Sequence, residues 1–456
     1  MNGITKVNVP VIVVVIIALI ISMLLVGPLS ASTTTKQQKQ VLLKAIVVEP
    51  EKRWKTLFGA ALEKLREKHP ELSIDVNYTV LPYFEAHKQI LESQVNNKSD
   101  VDLYSIDQIW LGEFAQKGLL ENLTSYTTSW NRSSDWNEVN WNGGTFNDTV
   151  YGIWAWTDVR ALWYWKDILN QSGIQPDSLG TWNGYLNAAK KLENSSSPLL
   201  NRNSTHAVHL VGASHSPDMW YPYLWMNGGD ILSQKEGHPT KGTYWFPSYN
   251  STAGVKALTF LKEQIDAGIR PQLEHFWGKE FADKRFAVML EGSWMPGAFP
   301  LNDTKTFQEK VGLLPMFPVS EKENSTATAT LMGGWELGIA SKSTNKALTW
   351  ELIATMVQPD VLLPTLKESG YLPTQKSLMT NGTYVASLNA SIPYYSELVS
   401  MIGVGHIRPN IAEYAQIADQ IKIAIDEVYH GVSEPQEALD NAAYKTAKLL
   451  GWGKGS

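Results

Sequence analysis

A chain of 456 residues is too long for one ordinary core and suits two domains or lobes. Its 39 basic and 45 acidic side chains leave a net charge of −6 with no long basic run, which argues against nucleic-acid binding. Cysteine is absent, which excludes disulfides, thiol catalysis and thiolate metal sites, and a hydrophobic content of 43% excludes wholesale disorder.

After the short flank at residues 1–8, Val9 to Leu29 is an almost unbroken apolar run. It is long enough to cross a bilayer, which needs about 20 residues. A cleaved secretory peptide has a shorter apolar stretch of about 7–15 residues, so a retained transmembrane anchor is predicted, with a cut near Ser30-Ala31-Ser32 as the alternative. Residues 30–40, rich in Ser, Thr, Lys and Gln, read as a solvated tether. The acceptor motif N-x-S/T begins at Asn77, Asn97, Asn122, Asn131, Asn147, Asn170, Asn194, Asn203, Asn250, Asn302, Asn324, Asn381 and Asn389. Chance would supply about four, so the expectation is an extracellular, glycosylated ectodomain. Together with the missing cysteines, this suggests a prokaryotic glycoprotein from a hot environment, of archaeal type.

The ectodomain opens with alternating elements. Val41 to Val48 has strand length, and Trp54, Leu57, Phe58, Ala61, Leu62 and Leu65 follow helical spacing. Leu72, Ile74, Val76 and Tyr78 alternate as a strand. A helix from Phe84 to Val95, a strand from Val101 to Ile106 and a helix from Ile109 to Lys117 follow. This order predicts a parallel sheet covered on both faces, an α/β lobe. Val255, Leu258, Leu261 and Ile265 form a later helical stripe, and Ile411, Tyr414, Ala418, Ile421, Ile425 and Val428 another. Ser433-Glu434-Pro435-Gln436 reads as a capping box opening a last helix.

No phosphate-binding loop, H-E-x-x-H or G-x-S-x-G motif is present. His206, His209 and His215 read as solvated loop residues, so no metal and no cofactor is predicted. The positive signal is Trp, Asp and Gly near strand ends. Asp107 ends a predicted strand, where open α/β sheets bind ligands. Trp154-Ala155-Trp156-Thr157-Asp158, Gly292-Ser293-Trp294 and Gly333-Gly334-Trp335-Glu336 repeat the pattern. Sugars lay C–H faces on aromatic rings and offer hydroxyls to charged groups, each such bond contributing about 1.5–3 kcal/mol. Trp156, Trp294 and Trp335 are candidate ligand residues, whereas Trp54, Trp182, Trp220 and Trp350 read as core filler.

These segments resemble the extracellular sugar-binding proteins of ABC importers, the family-1 solute-binding proteins, and within them the archaeal trehalose/maltose-binding type. The likeness is carried by residues 58–76, by VDLYSIDQIWLGEFAQKGLLENL at 101–123, by YGIWAWTDVRALWYWKDILNQSGI at 151–174 and by WMNGGDIL at 225–232. It continues through MGGWELGIASKSTNKALTW at 332–350, residues 370–374 and Arg408-Pro409. It implies a periplasmic-binding-protein-like fold, with two discontinuous α/β lobes around a hinge and a central cleft. Lobe 1 would take 41–153 and 303–350, and lobe 2 154–302 and 351–456. It implies that Asp107 and Asp158 grip sugar hydroxyls, that Trp294, Gly334 and Trp335 supply a platform and a backbone contact, and that Arg408 binds hydroxyls. Trp156 stands where the type has Tyr and Pro296 where it has another aromatic. The first-strand acid is Glu49 or Glu51, and His87 or Lys88 replaces an expected Arg region. The implied function is capture of a mono- or disaccharide without chemistry, by a monomer serving a membrane permease and a separate ATPase subunit. A surface glycosidase and a carbohydrate-binding adhesin are the alternative readings.

Overall fold

The computed structural model describes residues 38–93, 100–195, 198–200, 208–209, 217–235, 245–269, 279–299, 303–314 and 328–452. The apolar run at 9–29 and its tether up to residue 37 lie outside them. So do His206 and His215. Among the described residues, no helix is long and apolar enough to cross a membrane.

The opening follows the predicted alternation: β1 (Lys39–Val48), α1 (Glu51–Lys68), β2 (Leu72–Leu81), α2 (Tyr83–Glu92), β3 (Leu103–Asp107) and α3 (Gln108–Gln116). α1 buries Trp54, Leu57, Phe58, Ala61, Leu62 and Leu65, the stripe expected from a 3.6-residue period. Parallel pairing holds for these three strands, with β1 between β2 and β3.

Beyond β3 the sheet turns antiparallel, which the alternation did not foretell. β4 (Ile153–Trp165) is 13 residues long and buried throughout. Its first half pairs antiparallel with β7 (Thr330–Ile339), which pairs antiparallel with β3. Its second half pairs with β5 (Val288–Gly292) and β6 (Val311–Leu314). One ten-stranded sheet therefore runs β2-β1-β3-β7-β4-β5 and ends on the short strand Val208–His209, which puts His209 on a strand and not in a loop, and β4 is shared by the two ends of the sheet. A strand buried on both faces can serve this role because neither face meets water.

Helices α4 (Lys346–Met356) and α5 (Pro359–Ser369) pack on α1 at the first end. Helix α6 (Tyr414–Tyr429) packs on α7 (Pro435–Leu449) and on Thr252–Asp266 at the other. The capping box before α7 does not form: Glu434 is the N-cap without a side-chain bond, and the Gln436 amide instead reaches Asn250 O and Asp440. Pro435 already supplies the fixed φ suited to a first helical position.

Candidate functional site

Register places the first candidates side by side. Trp335 on β7 lies opposite Asp107 on β3 and opposite Trp156 on β4. Next along, Gly334 faces Thr157 and Gly333 faces Asp158. Both glycines are needed for close approach. A Cβ on Gly334 would fall 1.9 Å from Trp154 Nε1, and one on Gly333 would fall 2.9 Å from Asp158 Oδ2.

Asp107 caps α3, accepting from Ile109 N at 3.3 Å. The Tyr83 hydroxyl donates to its other oxygen at 3.0 Å. Arg408 Nη2 lies 3.3 Å from the Asp107 carboxylate, and Arg408 Nη1 lies 2.9 Å from Asp218 on the far side. The guanidinium thus bridges β3 and the turn Pro217–Met219, which the sequence places far apart. Burial pushes the Asp107 carboxyl up, while Arg408 pulls it down. Burial alone would lower the Arg408 pKa, but Asp218 and Asp107 more than offset it, so the guanidinium stays charged.

The second cluster sits on β4 and β5. Arg160 donates to Asp158, and its guanidinium carbon lies 4.4 Å from the centre of the Trp294 ring. Glu291, opposite Ala161, is buried beside them. Burial pushes its carboxyl up to about 7, opposed by the Arg160 charge and by the Gly292 N–H it accepts. Trp294 is half-buried and meets Tyr371 at 5.8 Å.

The third is Arg53 in the first turn of α1. Its guanidinium carbon lies 5.4 Å from the centres of both the Trp335 and Tyr371 rings, 5.6 Å from Trp156 and 5.7 Å from Trp54. It donates to the carbonyls of Val48 and Glu49.

The other predicted residues fall out as follows. Trp156 is fully enclosed, between Trp54 at 5.3 Å and Tyr371 at 6.1 Å. The Glu49 side chain is exposed, and it is the main-chain carbonyl that reaches Arg53. His87 bonds Glu113 at 2.9 Å and Lys88 is exposed. Pro296 is buried in the turn Met295–Ala298. Tyr83, Asp218, Arg53, Arg160 and Glu291 were missed, because no local motif marks them. Only the strand pairing brings Arg160 and Glu291 together. Among the described residues no group of three His, Asp or Glu side chains is placed to hold a metal ion.

Charged and aromatic groups meeting between two sheet ends joined by a shared strand are what a two-lobed solute binder requires. The chain belongs to the bacterial extracellular solute-binding proteins, whose family profile matches residues 60–389. A binding protein of Brucella abortus is 24% identical over 383 residues, 83% of this chain and 86% of the relative. A probable amino-acid ABC transporter periplasmic-binding protein of Sinorhizobium fredii is 22% identical over 414 residues, 86% of this chain and 87% of that one. Among solved structures, the GacH receptor of Streptomyces glaucescens, determined unliganded and with acarbose, superimposes with a TM-score of 0.74 at 21% identity. It covers 91% of this chain and 99% of its own. A solute-binding protein of Thermotoga lettingae bound to α-D-tagatose gives 0.73 at 22% identity, over 91% and 100%. The fold is the two-lobed α/β periplasmic-binding type, and membership makes the chain a binder of solutes, not an enzyme.

Proposed function

We propose that this chain is the substrate-binding subunit of an ABC sugar importer, capturing a mono- or disaccharide of the trehalose, maltose or glucose kind. The observation that carries the reading is the adjacency of Asp107, Trp335 and the Arg408 guanidinium: an acceptor, a ring face and a donor within one patch. Such a set suits a polyol ring, with hydroxyls held by charged groups and C–H faces on the indole. Acarbose and tagatose, bound by two structural neighbours, are both carbohydrate-like and support it.

The proposed mechanism is lobe closure. Asp107 belongs to the end of the sheet built from β1–β3 and Asp218 to a turn that packs on α6, while Arg408 spans them. A ligand that adds contacts to both sides favours the closed state, and it can shift that equilibrium only by its differential affinity. The proposed lobes are 41–153 with 303–350, and 154–302 with 351–456. The pairing of Val311–Leu314 with the second half of β4 favours moving that strand to the second lobe.

The run at 9–29 is proposed as a retained anchor that keeps a monomeric binder close to its permease, at high effective concentration, on the outer face of the membrane. Glycosylation is supported by position: Asn77, Asn122, Asn131, Asn147, Asn170, Asn194, Asn381 and Asn389 are all exposed. The archaeal trehalose/maltose type is the proposed branch.

The test is a calorimetric panel of neutral and acidic sugars, with the bound sugar recovered and identified. Saturable binding of one sugar that is released unaltered supports the reading. Hydrolysed sugar, or binding of amino acids but no sugar, overturns it.

A further inference from the structure

Three arginines are buried around this site, and two of them are neutralised by the chain. Arg408 has Asp107 and Asp218. Arg160 has Asp158, with Glu291 close by. Arg53 is as buried as they are, at 3% exposure, and makes no ion pair with any described residue. Like those of Arg160 and Arg408, its Nε–H has no hydrogen-bond partner among the described residues; what sets Arg53 apart is that its other bonds go to two main-chain carbonyls and none to a carboxylate.

The nearby acids do not serve it. Glu49 and Glu51 are exposed, and Glu368 is held by Lys52 and by the Thr56 hydroxyl. Removing a charge from water is expensive unless an opposite charge compensates it. Cation–π contact with four rings recovers part of that cost, yet ring faces accept no N–H bond along a lone pair. The position is also central. Trp335 links Arg53 to Tyr83 and so to Asp107, while Tyr371 links it to Trp294.

We propose that Arg53 is the anion subsite of this candidate site, and that the physiological ligand is an acidic sugar whose carboxylate or phosphate supplies the missing counter-charge. The planar fork of a guanidinium matches either group in bidentate geometry. The aromatic walls exclude water from the pair, which strengthens it. The neutral hydroxyls of the same ligand fall to Asp107 and Arg408. The inference rests on the sugar-binding reading above and narrows it.

The test titrates the full-length chain in detergent with matched sets: glucose, glucuronate and glucose 6-phosphate; galactose and galacturonate; maltose and maltobionate. Inorganic phosphate alone is the ion control. At least one acidic member should bind tenfold or more tighter than its neutral counterpart, and the carboxylate and phosphate arms identify which anion is preferred. In Arg53→Gln the acidic-to-neutral affinity ratio should fall to near one, and Arg53→Lys should restore part of it. The ratio remains readable if either variant loses some affinity, and Arg53→Lys controls for misfolding. Neutral sugars binding as tightly as their acidic partners in every set would overturn this inference while leaving sugar binding standing, as would an unchanged ratio in Arg53→Gln or phosphate alone binding as well as the sugar acids. Failure of every sugar to bind would remove both.

Discussion

Glu291→Gln isolates the electrostatics of the second cluster. The carboxyl is 1% exposed and is pushed from an ordinary 4.5 up to about 7, chiefly by burial. Because the folded value is raised, the folded state holds its proton where the unfolded chain has lost it. Stability is therefore full below about pH 4.5, falls as pH rises towards 7, and stays low above. The gap of 7 minus 4.5 spans about 2.5 units at 1.36 kcal/mol each, or roughly 3 kcal/mol as an upper bound. Glutamine keeps an oxygen for the Gly292 N–H and cannot ionise. The stability difference between wild type and variant, from urea unfolding, should shift in favour of the variant by up to about 3 kcal/mol between pH 4.5 and 8. A difference that is flat across that range would mean that the buried carboxyl is charged at neutral pH in the folded state as it is in the unfolded one, and that burial does not raise its pKa.

Four further outcomes are expected. Arg408→Ala leaves Asp107 and Asp218 close together without their shared cation, and should destabilise by about 3–5 kcal/mol in denaturant unfolding and weaken sugar binding; a loss below about 1 kcal/mol would show that the bridge is solvated. Arg160→Ala uncovers Trp294 and frees Asp158, and should red-shift tryptophan emission and change the sugar affinity; an unaltered spectrum and affinity would place the guanidinium elsewhere. Glu336 is fully buried with both oxygens unbonded by described residues, and burial pushes its carboxyl well above its ordinary 4.5, so Glu336→Gln should be nearly silent near pH 4 and increasingly stabilising as pH rises above about 4.5; destabilisation at every pH would mean a charged carboxylate. Asn77→Gln and Asn131→Gln should each lower the mass of the native glycoprotein by one glycan; unchanged masses would show those exposed acceptors to be unmodified.

The opening β1–α1–β2–α2–β3–α3 order is legible because period 2 and period 3.6 alternate cleanly there and the connections are short. Asp107 is legible as a strand-end acid at the mouth of a parallel sheet. The antiparallel half is not, since β4 is buried on both faces and so shows no alternation from which to read its partners. Arg53, Arg160 and Asp218 are hidden for a related reason. A charged residue inside a helix turn or a buried strand looks like any other until long-range pairing encloses it, and Arg408 meets Asp218 across 190 residues. Trp156 was legible as an aromatic beside Thr157 and Asp158, but its packing between Trp54 and the Arg53 guanidinium depends on long-range pairing.

The most direct measurement is the structure of this protein with its best-binding sugar. The sugar should lie between the two sheet ends, with its ring across Trp335, its hydroxyls on Asp107 and Arg408, and an acidic group beside Arg53. A sugar seated on the outer surface, or enclosed without touching Asp107, Arg408 or Trp335, would contradict it.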